Sequence, residues 1–356
     1  MANIAIVGAG RVGQAFYRIL QHIPSLRDST TCLLIDSSSE LLERLAETGA
    51  PVKLAGNKDT MEAVLREFKP HTVVCSTPYY VNVQVADIAA RLGSNYIDFT
   101  EDNAVTRAIE QLNVSRITFV PQTGLAPGLV SYIGHSLFEG LGEPYSLDLR
   151  VGALPLVSFG PAHYAITWSP NGLINEYVKP AYRKVDGDIE EVAPLSDEEH
   201  LVVNGVRYEG FTTAGGVGNL LAYASIPNVE YKTLRYPGHL EYIQKLLNSV
   251  AEAEDPQQAA VELAMQSFQA TRNDVVVLVA HASDRHGHSA SAGIHFYPSE
   301  AIGLTALELT TAGTGVAVLE LLLSEQLPKG TLASHQVPFK LLRSTAAGRL
   351  VMSHGR

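Results

Sequence analysis

Cysteine is scarce in this chain, with two in 356 residues, and no Cys-x-x-Cys or paired Cys/His spacing occurs. Cys32 and Cys75 both sit in apolar runs, "TTCLLID" and "TVVCSTP", which suits buried thiols of a reducing compartment better than a disulfide framework or a zinc site. Positive charge is also short: 26 Lys and Arg stand against 37 Asp and Glu, for a formal net charge of -11, and no basic block offers a stripe that could track phosphates. Nucleic acid is therefore excluded as an expected partner. The opening "MANIAIVGAG" lacks a basic leader and a small-residue cleavage site, and no apolar run is read as reaching the roughly 18 residues that cross a bilayer. The expectation is a cytoplasmic protein with no membrane partner.

What is present is alternation. Over residues 1–125 the short apolar runs "NIAIV", "CLLID", "TVVCSTP", "NYIDF" and "RITFV" are separated by segments with helical spacing, the pattern of a doubly wound parallel α/β sheet. Val12, Phe16, Ile19 and Leu20 share a helical face, and Ser37 with Glu40 has capping-box spacing ahead of "LLERLAE". From Gly124 the texture changes. A helical "PGLVSYIGHSLFEGL" leads into strand-like runs with hairpin dipeptides, Asp186-Gly187 and Asn204-Gly205, followed by "DVVVLVAHAS" and "SASAGIHFYPS" joined by "DRHGH". The fold class expected is a Rossmann nucleotide domain over 1–125 plus an α+β mixed-sheet substrate domain over 126–303. Residues 304–356, apolar at helical spacing, are expected to pack back on the nucleotide domain.

"GAGRVG" follows the first strand and opens a helix. Gly8 allows a tight turn, Gly10 a close approach of backbone to pyrophosphate, and Gly13 close helix-to-strand packing, while Arg11 and Val12 begin the helix whose N-terminus faces the phosphate charge. Asp36 ends the second strand, and Ser37 follows it. A carboxylate there accepts hydrogen bonds from the ribose hydroxyls and repels a 2′-phosphate, so NAD is the expected cofactor. Ser76, Thr77 and Pro78 end the strand of "TVVCSTP", where carboxyl ends of parallel strands meet the cofactor crevice. Asp98 ends the next strand, as a site residue or as the cap of the following helix.

Together these stretches resemble the saccharopine dehydrogenase family, most closely its NAD-dependent lysine 6-dehydrogenase type. The matching segments are "IVGAGRVG", "STPYYVN", "YIDFTED", "TGLAPGL", "TWSPNGLINEYVKPA", "EGFTTAGGVGNL" and "YKTLRYPGH", in order along nearly the whole chain. The resemblance implies nicotinamide-linked oxidation of the amine carbon of a small-molecule amino acid, a central sheet domain that binds it, and a homodimer. Many relatives carry a cysteine before "GLAPG", where this chain has Thr123, so a thiol role does not carry over. The resemblance places Arg235 on a substrate carboxylate, with a structural ion pair as the alternative. Asn175, Glu176, Tyr79 and Trp168 are the other substrate candidates, Glu176 being otherwise a solvent-exposed strand residue and Trp168, with Tyr177, otherwise part of a sheet core. Asp98 and His239 compete as catalytic acid or base, His239 being otherwise a histidine at a helix N-terminus with no chemical role, and Tyr236 reads as a packed aromatic. His281, Asp284, His286, His288 and His295 cluster in sequence, but two strands around a polar tip explain them, and no metal is expected. Two further readings stay open: an imine reductase of the saccharopine or carboxynorspermidine type, and a non-catalytic NAD-binding sensor.

Overall fold

The computed structural model describes all 356 residues, which divide into two compact units: 1–132 with 308–353, and 133–307 with 354–356. The first unit is built on parallel strands β1 (Ala2–Val7), β2 (Thr30–Asp36), β3 (Val52–Leu54), β4 (Thr72–Cys75), β5 (Asn95–Asp98) and β6 (Thr118–Val120). With the short strand Gly330–Thr331 at the edge beyond β6, the order runs β6-β5-β4-β1-β2-β3. The order reverses between β1 and β4, which is where ligands bind in open α/β sheets. Its core includes Ala5, Val7, Val73, Cys75, Tyr96 and Phe119, and Cys32 and Cys75 are both buried free thiols.

The helix Arg11–His22 buries Gly13, Ala15, Phe16, Ile19 and Leu20 on one face. Removing Phe16 and Ile19 from water stabilises the packing by about 1.5–3 kcal/mol each. The expected Ser37–Glu40 capping box is corrected: Ser38 caps the helix Ser39–Glu47, its hydroxyl accepting from Leu41 N at 3.2 Å. The reading of apolar run lengths is also corrected. The helix Ala306–Leu323 has 18 residues and a mean hydropathy of 1.5, and 78% of it is buried within the protein. Glu308–Ser353 group with the first unit, whereas the last three residues pair with the second, Arg356 N donating to His295 O at 2.9 Å.

The second unit carries an eight-stranded mixed sheet. Its strands are β7 (Pro144–Pro155), β8 (Ala181–Val185), β9 (Asp188–Val192), β10 (Glu199–Val203), β11 (Val206–Phe211), β12 (Asn228–Arg235), β13 (Asp274–Asp284) and β14 (Ser289–Phe296). The main path is β10-β11-β12-β7-β13-β14, with β8 pairing β12 and β9. β7 and β12 run parallel, and the other neighbours are antiparallel. Asp186-Gly187 and Asn204-Gly205 make tight hairpins with φ of 48° and 96°, and 47° and 83°. "PNGLINEYV" is a helix, Pro170–Val178, rather than a strand, capped by Ser169. Glu176 thus sits on a helix and not on an exposed strand.

Candidate functional site

In the first unit the turn after β1 depends on its glycines. Gly8 has φ +93°, and a Cβ at Gly13 would stand 2.0 Å from the Gly8 carbonyl oxygen, so each glycine is needed for the turn itself. A Cβ at Gly10 would meet nothing within 4 Å, and no side chain caps the helix it begins. That leaves open space over the positive end of a helix, which suits a pyrophosphate. Asp36 is half-buried beside the turn: its Oδ2 accepts from Ala9 N at 2.7 Å and its Oδ1 from Ser38 N at 2.9 Å. Ser37 is exposed. Arg11 pairs with Glu308 at 3.4 Å, tying the turn to the helix Ala306–Leu323, and Val12 is half-buried.

Ser76 braces this turn from β4. Its hydroxyl donates to Gly8 O at 2.6 Å, across the point where strand order reverses. The Thr77 hydroxyl donates to Asn82 Oδ1 at 3.1 Å, and Pro78 begins the helix Tyr79–Leu92. The backbone of this stretch is partly spent as well, Ser76 N donating to Val7 O at 2.8 Å and Pro78 O accepting from Val81 N at 3.0 Å. Tyr79 stands 45% exposed, edge-on to Tyr80 with 5.8 Å between ring centres.

Asp98 closes β5 and is fully buried. Its Oδ1 accepts from Thr100 N at 3.1 Å and Gln122 N at 2.9 Å. Oδ2 has no partner at full hydrogen-bond geometry, although the Tyr96 and Asn82 side chains are close enough to favour its charge. Burial outweighs these favourable contacts and pushes the carboxyl up to about 6. It does not cap the next helix; Asp102 does, accepting from Ala104 N and Val105 N. Thr123 is buried against the same strand end, its hydroxyl donating to Asp98 O at 2.7 Å.

In the second unit the bend "LRYPGH" is built from both sides. β12 ends at Arg235, and Gly238, with φ +98°, starts the helix His239–Ser249. Buried Glu209 holds the start of that helix, accepting from Gly238 N at 2.7 Å and Leu240 N at 2.5 Å. Sequence reading missed Glu209, which reaches the turn only through the pairing of β11 with β12. Tyr236 is a packed aromatic, stacked on Tyr208 at 5.7 Å, with its hydroxyl on Pro155 O at 3.0 Å.

Arg235 is almost wholly enclosed, with 3% of its side chain exposed. Nε donates to the Tyr177 hydroxyl at 2.9 Å and Nη1 to Leu234 O at 2.9 Å. The guanidinium carbon lies 5.1 Å from the Tyr164 ring centre and 5.7 Å from that of Tyr177, and Nη2 lies 3.6 Å from Glu176 Oε2. Burial raises the Glu176 carboxyl to about 7 despite Arg235. Trp168 packs on the start of the same helix, where Gly172 makes room: a Cβ there would come within 2.3 Å of the indole. Asn175 is turned to a different task, its Oδ1 accepting from Gln257 Nε2 at 2.5 Å.

His239 opens the helix His239–Ser249 and favours the second of its two readings, a residue without proton chemistry. The ring is fully buried, Nδ1 donating to Ala162 O at 2.8 Å and Nε2 accepting from the Tyr177 hydroxyl at 3.0 Å. Burial, with Arg235 adding repulsion, lowers its pKa to about 3, so His239 cannot exchange a proton near neutral pH. It orients Tyr177, which in turn holds Arg235. A stability effect follows from its neutrality. Below pH 6.5 the unfolded chain protonates this residue while the folded chain resists down to pH about 3, so the unfolded state binds more protons and stability falls as pH falls through that window. The slope from this residue alone approaches about 1.4 kcal/mol per pH unit. Urea unfolding of His239→Gln at several pH values is expected to show a shallower acid slope than the parent; equal slopes would contradict the assignment.

The histidines of the β13–β14 hairpin are spent locally. His281 Nδ1 pairs with the Ser291 hydroxyl at 2.7 Å, His295 bridges Asn204 and Tyr208, and Asp284 holds the turn through His286 N and His288 N.

A glycine turn and acid at the switch point of a parallel sheet, with a separate mixed-sheet unit, define a two-unit protein of Rossmann type. A model of the saccharopine dehydrogenase C-terminal domain matches residues 124–341, more than half of the chain, and the protein belongs to the saccharopine dehydrogenase family. Its structure is similar to apo saccharopine dehydrogenase (L-Glu forming) from Saccharomyces cerevisiae, at 15% identity and a TM-score of 0.73 over 99% of this chain and 96% of that one. It is also similar to an amine dehydrogenase from Mycobacterium smegmatis, at 12% identity and a TM-score of 0.49 over 95% of this chain and 96% of that one. At such identities the likeness is one of fold.

Proposed function

We propose that the protein is an NAD-dependent amine dehydrogenase that oxidises the CH–NH group of a lysine-like amino acid to an imine, which water converts to a semialdehyde. The observation that carries the substrate class is the enclosed Arg235, three of whose sides are fixed by Tyr177, Leu234 and Tyr164 while the fourth faces the half-buried Glu176. An enclosed guanidinium with one edge held by a neighbouring acid is suited to a carboxylate-bearing ligand. When bound, a nicotinamide dinucleotide accepts the two electrons and one hydrogen removed from the amine-bearing carbon.

The chain's own residues divide the remaining work. The Gly8–Gly13 turn holds the pyrophosphate and Asp36 the ribose hydroxyls. Arg235 clamps the substrate carboxylate, and the Glu176 carboxylate attracts an ammonium. Asp98, ionised above pH about 6, takes the proton that the substrate ammonium must lose and then stabilises the positive charge left on the imine. Thr123 anchors the Asp98 backbone rather than supplying a thiol. A second reading, reduction of an imine formed between an amino acid and a carbonyl partner, rests on the family membership and uses the same residues in reverse. Initial rates in both directions test the choice: reduced nucleotide formed from free lysine-like amino acids supports the first, and consumption seen only with amine and keto-acid pairs overturns it.

Asp36 is proposed to set the cofactor choice. Asp36→Ala is expected to weaken NAD binding by about tenfold, the scale of a lost charge-assisted hydrogen bond, and to narrow the preference over NADP. Tighter binding of NADP than NAD by the unaltered protein, measured by titration, would contradict this.

A further inference from the structure

The Arg235–Glu176 pair has an unusual division of contacts. Nε donates to Tyr177, Nη1 spends one N–H on Leu234 O and the face lies against Tyr164, so Nη2 is the position most open to an anion, and Glu176 stands there at 3.6 Å, an ion pair without a hydrogen bond. The acid is the outer member, with 16% of its side chain exposed against 3% for the arginine. Its backbone is firmly placed, since Ser169 caps its helix and Glu176 O accepts from Ala214 N at 3.0 Å. The side chain is thus a loosely held anion on a rigid mount, next to a rigidly held cation.

We propose that Glu176 fills the anion seat of Arg235 in the free protein and exchanges partners when substrate binds: the α-carboxylate of an amino acid takes Nη2 of Arg235, and the released Glu176 takes the α-ammonium of the same molecule. This inference rests on the proposed function and specifies how its substrate is selected. One internal ion pair is replaced by two with the ligand, so the site gains no net charge and neither Arg235 nor Glu176 is left unpaired in a buried setting. The exchange discriminates by what it leaves behind. A carboxylate lacking the α-amino group must displace Glu176 and strand it, whereas a zwitterionic head group satisfies both partners. The elevated Glu176 pKa agrees with a weakly satisfied acid in the free protein.

Calorimetric titration of the full chain with lysine and with its analogue lacking only the α-amino group tests this without turnover. The unaltered protein is expected to bind lysine at least about tenfold more tightly than the analogue, the scale of one charge-assisted contact. In Glu176→Gln the analogue should bind more tightly than it does to the parent, because its competitor is gone, and lysine more weakly, so that the two affinities converge. Glu176→Asp, which keeps the charge, should retain a preference for lysine, and melting curves confirm that each variant is folded. If the analogue binds Glu176→Gln no better than the parent, Glu176 is not the competitor and the exchange is overturned while the substrate class stands. If lysine and other α-amino acids fail to bind the parent at all, the proposed function fails and the exchange fails with it.

Discussion

Asp98→Asn is expected to lower kcat by about 10²–10⁴, the usual contribution of a positioned proton acceptor, with nucleotide affinity nearly unchanged. Asparagine is close in shape to aspartate and its Oδ1 can still accept from Thr100 N and Gln122 N, so the end of β5 should keep its geometry. What is lost is the second oxygen, Oδ2, and the ability to take a proton. The parent should also show an acid limb in kcat/KM with an apparent pKa near 6. Burial raises this carboxyl, the active form is the ionised one, and the rate therefore climbs as pH rises through that value. Near-normal turnover of the Asn variant would move the proton-transfer role to another group.

Arg235→Ala is expected to lose about 2–5 kcal/mol of productive substrate binding, the range for removing one partner of a buried charge pair. It should also lower stability, because Glu176 loses its countercharge and Tyr177 a hydrogen-bond partner in an enclosed setting. Melting and kcat/KM therefore fall together in the single variant, and a clamp cannot be told from a structural ion pair by that variant alone. The double variant Arg235→Met with Glu176→Gln separates them. Removing both charges restores much of the fold, since a buried pair replaced by neutral groups is often close to neutral in stability, yet it cannot restore a carboxylate clamp. Recovered melting with kcat/KM still depressed is the expected result. Recovered melting with normal kcat/KM would show that Arg235 only stabilises the bend.

Much of the first unit is legible because its signals are local. The glycine turn, the acid ending β2 and the alternation of apolar runs each lie within one short window, and each window maps onto one strand–turn–helix step. The strands that escape reading, Val52–Leu54 and Gly330–Thr331, are three and two residues long, too short for any period to show. The misplaced cap, Ser37 for Ser38, is a one-residue shift within a serine run where spacing alone does not choose. The second unit is less legible for a different reason. Arg235, Tyr177 and Glu176 were visible as candidate residues, but Tyr164 and Glu209 meet them only through tertiary packing and strand pairing. His239 shows the cost most clearly: spacing alone leaves it open as an acid or base or as a silent helix-start residue, and only packing encloses its ring between Tyr164, Tyr177 and Phe268.

The central claim is that this chain oxidises the amine carbon of a free, lysine-like amino acid at the expense of NAD. The most direct measurement is the appearance of reduced nucleotide when purified protein and NAD are mixed with a panel of diamino acids, each with and without its α-amino group. Reduced nucleotide is predicted to appear with an intact diamino acid, to appear at a much lower rate with the analogue lacking the α-amino group, and to be greatly diminished in Asp98→Asn. Protein that binds NAD but forms no reduced nucleotide with any member of the panel would contradict the claim.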